Sequence, residues 1–196
     1  MGHIFLTEER IAIIMNRAKQ SCARDYALLS VAACTALRAS DLLRLRIADV
    51  VEEDGGVVLA LRLKIKKTGK MIERPLREDA RAALAAYIKE RDDKNPYLFV
   101  SLPSANKLRR KQPLHRESYS LIIKKYLSEF YPHSVLQGCA THTLRRSVAK
   151  LVYKKSGRIE PATLLLGHSS PANTMRYIDS DDIRDTANGI VDSLQW

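Results

Sequence analysis

The sequence predicts a mainly α fold with a small antiparallel β-sheet, an α+β arrangement. Three observations predict it. Apolar residues recur at helical spacing along most of the chain. Within residues 49–75 the period changes to two. Capping and turn residues then punctuate the helical runs, as at Thr7, Gly167 and Ser170-Pro171. At 196 residues and 45% apolar, the chain can bury one ordinary core, or one core with a small appendage.

The elements follow in order. Leu6-Thr7-Glu8-Glu9 opens a helix, with Thr7 as cap, the glutamates at the positive end of the dipole, and Leu6 and Ile11 spaced for a hydrophobic staple. A second helix, about 22–36, is apolar on nearly every side and belongs inside the domain. Ser40 is placed to cap a short helix beginning at Asp41, which leaves Arg38 in the turn between two helices. Asp54-Gly55-Gly56 marks a turn, after which Leu59, Leu61, Leu63 and Ile65 alternate with Ala60, Arg62, Lys64 and Lys66. This is a strand with one apolar and one cationic face. Lys67-Thr68-Gly69-Lys70 turns the chain, and Met71 to Pro75 returns, so Lys67 sits at the tip of a hairpin.

Glu78 to Arg91 reads as an amphipathic helix with Ala82, Leu84, Ala85 and Ile88 inward, followed by a short extended piece, Tyr97 to Val100. Pro103 and Pro113 break residues 103–116 into a surface loop carrying Lys107, Arg109, Arg110, Lys111, His115 and Arg116. Glu117 to Phe130 is helical, with Leu121, Ile122, Tyr126, Leu127 and Phe130 on the buried side. Thr141 or His142 opens a helix to about Lys155. Pro161 to Leu166 forms a short helix stopped by Gly167, and residues 171–177 form another after the Ser170 cap. The tail, Asp181 to Trp196, spaces Ile183, Ala187, Ile190, Val191 and Leu194 as a last amphipathic helix.

Composition narrows the function. A formal charge of +11 and a pI near 9.7 suit a polyanionic partner, since each phosphate neutralised by Lys or Arg releases counterions. The three cysteines lack metal-ligand spacing; Cys22 and Cys34 lie in an Ala-rich helical run and read as small buried residues in a reducing cytosol. No apolar run approaches the roughly 20 residues of a membrane span, and the expected location is the cytoplasm.

Chemistry concentrates between His142 and Tyr177, in H-T-L-R-R at 142–146, L-L-L-G-H-S-S-P at 164–171 and M-R-Y at 175–177. A basic cluster beside a phenol suggests a phosphodiester substrate and a tyrosine nucleophile. His142 and Arg145, three apart, share the first turn of a helix whose free N–H groups favour an anion. A free phenol, with a reference pKa of about 10, is roughly one part in a thousand ionised at neutral pH. That deficit of about 4 kcal/mol must be offset by a base or strong cations. Arginine suits a phosphate because its planar fork grips two oxygens at once.

The order T-A-L-R-A-S-D at 35–41, a lysine in a hairpin turn, H-T-L-R, L-L-G-H and then Tyr177 resembles the catalytic domain of the tyrosine recombinases, the phage integrase family. The resemblance runs from about Thr7 to the tail. It implies a DNA breaking-rejoining fold over residues 1–196, with a catalytic core at 5–180 and a C-terminal helix at 181–196 that docks on a neighbouring subunit in a tetramer on DNA or packs in cis. It also implies roles. Tyr177 attacks a DNA phosphate to give a 3′-phosphotyrosyl intermediate, while Arg38 and Arg145 hold the non-bridging oxygens. Lys67 protonates the leaving 5′-oxygen, His142 takes or returns the tyrosine proton, His168 bonds the phosphate, and Asp41 orients the site from behind.

Further contacts to double-stranded DNA at a specific recombination site fall to Arg62, Lys64, Lys66 and Lys70 of the hairpin, to Lys107, Arg109, Arg110, Lys111 and Arg116 of the loop, and to Arg146 and Arg176. No metal or other cofactor is called for, since the lysine and arginines supply the positive charge and no carboxylate cluster is present to hold magnesium. Religation needs no ATP, because the phosphotyrosyl bond keeps the energy of the broken strand. Arg146 stands where many members carry histidine. With Thr7 already opening the catalytic domain, the chain is either a fragment or a short member without the N-terminal helical domain. The alternatives are relaxation of DNA in the manner of a type IB topoisomerase, and a regulator that binds DNA on this fold without turnover.

Overall fold

The structure, a computed structural model, describes residues 4–101, 112–137, 139 and 141–178. Helix α1 (Glu8–Ser21) starts at Thr7, whose hydroxyl accepts from the Arg10 N–H at 3.3 Å. Cys22, in extended conformation, separates it from α2 (Ala23–Thr35). Ala27, Leu28 and Val31 of α2 have no exposed surface, as its all-round apolar composition requires. The buried Asp25 accepts from Arg24 Nη2 at 2.7 Å and from the Tyr126 hydroxyl at 3.1 Å, which gives a buried carboxylate the partners it needs and joins α2 to α5 (Arg116–Leu127).

Helix α2 ends at Ala36, a buried residue with φ of 47°, in the left-handed region. The short α3 (Ala39–Leu42) begins with Arg38 in the cap position and no side-chain cap bond. The expected Ser40 cap is therefore corrected: the helix starts one residue before Ser40, and the Asp41 side chain turns inward at 1% exposure. A 3-10 turn (Ile47–Asp49) follows.

Strands β1 (Ala60–Lys64) and β2 (Met71–Pro75) pair antiparallel, from Ala60 opposite Pro75 to Lys64 opposite Met71. Leu61 and Ile65 are buried, but Leu59 lies ahead of the strand and is 67% exposed, so it does not share their face. The turn beyond Lys64 closes with the Gly69 N–H on Ile65 O at 2.8 Å; Gly69 has φ of 68°, which favours glycine.

Helix α4 (Glu78–Lys89) buries Ala80, Ala83, Leu84 and Tyr87. Its inward face is rotated from the one expected, since Ala82 and Ala85 are exposed; alanines carry too little hydrophobic contrast to set the phase, and Tyr87 sets it. Leu98 donates its N–H to Leu45 O at 2.7 Å, which holds the extended piece against the segment after α3. Leu121 of α5 is 65% exposed rather than buried, and the expected helix to Phe130 stops at Leu127, with a separate α6 (His133–Leu136) after Pro132.

Three helices complete the described fold: α7 (Thr143–Ser156), α8 (Ile159–Leu166) and α9 (Pro171–Ile178). The main core draws on α1, α2, α4, α5, the hairpin and Leu144 of α7. Ala149, Leu166 and Ile178 form a separate small cluster that fastens α8 and α9 to α7. Cys22 and Cys34 are free thiols but half-buried rather than buried as expected, Cys22 because it lies in the break between α1 and α2; Cys139 is buried. Lys107, Arg109, Arg110, Lys111 and the tail helix lie outside the described residues. Among the described residues, no helix is long and apolar enough to cross a membrane.

Candidate active site

The site forms where the first turn of α7 meets the end of α8, α9 and the turn after α2. His142 occupies the cap position of α7, and Arg145 follows on the same turn. Arg145 is only 5% exposed. Its Nη1 donates to Ala36 O, and its Nη2 donates to Leu166 O at 2.7 Å. A guanidinium has five N–H donors, so others remain for an incoming anion. Burial, with the nearby Arg38 charge, pushes the group down to about 10, which leaves it cationic at neutral pH.

Ala36 makes this grip possible. Its left-handed backbone, costing an L-residue roughly 1–2 kcal/mol, turns the chain out of α2 toward Arg38. The same residue presents its carbonyl to Arg145. Arg38 is half-buried, and its charge reaches Arg145, His142 and His168.

Helix α8 ends at Gly167, whose φ of 59° is the left-handed cap expected there. His168 follows, and its Nδ1 lies 3.1 Å from the hydroxyl of Thr174, a fully buried residue of α9. Tyr177 stands one turn after Thr174. Its hydroxyl is 3.0 Å from His142 Nδ1. His168 meets the tyrosine ring edge-on, with centroids 5.3 Å apart, and the Arg146 guanidinium lies 4.6 Å above the ring centroid. The phenol is thus held between two imidazoles and beside two arginines.

Both imidazoles are poised as neutral groups. Burial first, then Arg145, Arg116, Arg146 and Arg38, pushes His142 down to about 4. Burial, Arg145, Arg38 and Lys67 push His168 down to about 4. With its ring proton on Nε2, a neutral His142 accepts a hydrogen bond, and then a proton, from the Tyr177 hydroxyl.

Lys67 is exposed in the hairpin turn, and its charge reaches His168. The Lys66 N–H next to it donates to Asp41 Oδ1 at 3.0 Å, so Asp41 fastens the residue before the lysine rather than a phosphate ligand directly. Asp41 Oδ2 is buried without a partner among the described residues.

The structure therefore brings Tyr177, His142, Arg145 and His168 together, sets Arg38 within electrostatic reach of them, and presents Lys67 on a separate arm. Of the cationic residues expected to meet DNA, Lys64, Lys66 and Lys70 are exposed on the hairpin, Arg62 is paired with Glu73 at 2.7 Å, and Arg116 and Arg176 are exposed. Sequence reasoning missed Thr174 and the Ala36 and Leu166 carbonyls. Thr174 had one available signal, its position one turn before the tyrosine; the carbonyls had none, because any residue supplies one.

Comparison with known proteins gives a consistent answer. The Phage integrase family profile matches residues 4–184. The chain is 32% identical over 160 residues to the probable integrase/recombinase YoeC of Bacillus subtilis, covering 81% of this chain and 79% of that protein. It is 27% identical over 176 residues to the tyrosine recombinase XerA of Pyrococcus furiosus, covering 88% of this chain and 56% of that protein, so it spans little more than half the length of that relative. Its fold is similar to the crystal structure of XerA recombinase, with a TM-score of 0.71 at 23% identity over 100% of this chain and 68% of that one. The XerH site-specific recombinase, solved on its difH DNA substrate after cleavage, matches with a TM-score of 0.69 at 20% identity, over 96% of this chain and 53% of that one.

Proposed function

The chain belongs to the phage integrase family of tyrosine recombinases, and from that premise we propose that it cleaves and rejoins double-stranded DNA at a specific site through Tyr177. In this reading residues 1–196 act as one catalytic unit, with a core at 5–180, working in the cytoplasm. The observation that carries it is the Tyr177 hydroxyl 3.0 Å from the Nδ1 of a histidine kept neutral by burial and arginines.

The contacts of Tyr177 with His142 and the burial of Arg145 beside them support these steps. Tyr177 Oη gives its proton to His142 and attacks the scissile phosphorus. Arg38 and Arg145 neutralise the charge that builds on the non-bridging oxygens, with His168 donating beside them. The P–O5′ bond breaks, and Lys67 protonates the departing 5′-oxygen. A 3′-phosphotyrosyl bond and a free 5′-hydroxyl result. Attack by the 5′-hydroxyl of a second strand reverses the sequence and returns the proton to Tyr177, with no nucleotide consumed. Strand exchange between duplexes requires a tetramer on DNA, for which the apolar spacing of Ile183, Ala187, Ile190 and Leu194 supports a tail helix docked on a neighbour.

The test is a nicked suicide duplex built from the DNA flanking the encoding gene. Wild type should trap a covalent protein–DNA adduct, and Tyr177→Phe should bind equally but trap none. No adduct from wild type, with undiminished binding by Tyr177→Phe, sinks the assignment. Relaxation of supercoiled plasmids without site preference would point to topoisomerase chemistry instead.

A further inference from the structure

We infer that Arg74 is a positioning residue that sets the Lys67 hairpin against the phosphate site by bridging β2 to the last turn of α8. The inference rests on the reading of Lys67 as the proton donor to the leaving oxygen.

Arg74 sits on β2 opposite Leu61, three residue pairs from the Lys64–Met71 end of the ribbon. Its Nη2 donates to Leu164 O at 2.8 Å and Leu165 O at 3.1 Å, and its Nη1 donates to Glu73 O at 3.1 Å. The next carbonyl of α8, Leu166 O, accepts from Arg145. Two arginines from different parts of the chain therefore cap three successive carbonyls at one helix end, where unpaired C=O groups and the dipole favour cations. The same helix end leads through Gly167 to His168. One short stretch of backbone thus fixes Arg145, His168 and the hairpin that carries Lys67 relative to one another.

The bridge is needed because side chains do not fill this junction. A cavity of about 50 Å³ remains between the hairpin and α8, lined in part by Leu37, Arg38, Ile65, Ile72, Arg145 and Leu166. Nor is Arg74 placed there without cost. Its Nε is buried without a partner among the described residues, and burial lowers its affinity for the proton. Nearer the tip, Asp41 Oδ1 accepts from the Lys66 N–H at 3.0 Å and Arg44 Nη2 donates to Lys64 O at 3.3 Å, both on the β1 side, so of these polar anchors Arg74 is the one that holds β2 to α8. A two-stranded ribbon is easily twisted, so a lost anchor at Arg74, roughly 10 Å along the strand from Met71, swings the tip.

The test compares single-turnover cleavage of the nicked duplex with that of the same duplex carrying sulfur in place of the bridging 5′-oxygen. A thiolate leaves without a proton, so sulfur bypasses Lys67. Arg74→Ala should slow cleavage of the ordinary duplex by about tenfold or more, with DNA affinity changed by less than about twofold. Sulfur should bring it to within about threefold of wild type on the same sulfur duplex, as it should for Lys67→Ala. Arg74→Lys, which keeps a donor near the carbonyls, should lie between. Arg74→Met, which keeps bulk but no donor, serves equally if the alanine variant does not fold. Wild-type cleavage by folded Arg74→Ala or Arg74→Met, or slow cleavage of both duplexes alike, overturns the inference. A Lys67→Ala variant that sulfur does not restore overturns instead the role given to Lys67, and no adduct from wild type overturns the proposed function.

Discussion

The α7–α9 segment and the β-hairpin hold the two ends of the proposed reaction in opposite ways. On the helical side, Tyr177, His142, His168 and Arg145 are half-buried or buried, and each meets a neighbour at hydrogen-bond or ring-contact distance. On the hairpin, Lys67 is exposed in a turn, and what orients it is backbone: the Lys66 N–H on Asp41 and the strand anchored by Arg74. In the proposed reaction the nucleophile and its base are already in hydrogen-bond contact, whereas the acid is carried on an exposed turn. Groups that must hold a developing charge gain from a dry, fixed setting, whereas a lysine that follows a leaving oxygen gains from reach.

Substitutions on the two sides should separate fold from chemistry. Arg145→Ala should have the largest effect. Cleavage should fall by about 10²–10³, because one charge-stabilising donor set is lost. Stability should fall with it by about 2–4 kcal/mol, because the Ala36 and Leu166 carbonyls lose their partner, a loss that denaturant titration would read. Lys67→Ala should slow cleavage by about 10²-fold yet leave the denaturation midpoint within about 0.5 kcal/mol of wild type, as befits an exposed turn residue. If both variants lose stability alike, the contrast between the two regions fails.

Acid should act on the helical side first. Folded His142 and His168 bind protons only near pH 4, against about 6.5 for the free side chain, so the unfolded chain holds more protons between those values. Their contribution is complete above pH 6.5 and is lost as pH falls through 4. After allowance for solvent screening of half-exposed rings, each should account for roughly 1–2 kcal/mol, and His142→Gln should flatten the decline in melting temperature. A small effect is expected for glycine at Ala36, and a larger one for a branched side chain there. Glycine relieves the left-handed strain but loses a buried methyl and gains unfolded-state entropy, so Ala36→Gly should change stability by less than about 1 kcal/mol. Ala36→Val should lower it by about 2 kcal/mol or more, since a β-branched residue resists that backbone and crowds a filled site.

Much of this arrangement is legible in the sequence because it depends on local rules. The Thr7 cap, the alternation through Leu61 and Ile65, the left-handed stop at Gly167 and the helix before Tyr177 each follow from a few neighbouring residues. Errors arise where local rules are weak. Alanine does not set the face of α4, Leu59 and Leu121 are exposed although apolar, and Asp41 turns inward to a hairpin amide that lies 25 residues away. The carbonyls that seat Arg145, and the arginine that spans from β2 to α8, depend on long-range backbone geometry. Side-chain identity leaves no trace of them.

Arg145 is at once a phosphate ligand in the proposed reaction and a peg for two buried carbonyls, whereas the Tyr177 hydroxyl meets other side chains of the site, His142 Nδ1 at 3.0 Å among them. A lineage that abandoned strand cleavage and kept only DNA binding could therefore shed the tyrosine hydroxyl in one step, while selection for folding alone would retain the arginine. Among descendants of such a protein, an intact Arg145 position says that the chain still folds. On the proposed reaction, the tyrosine position says whether it still cuts.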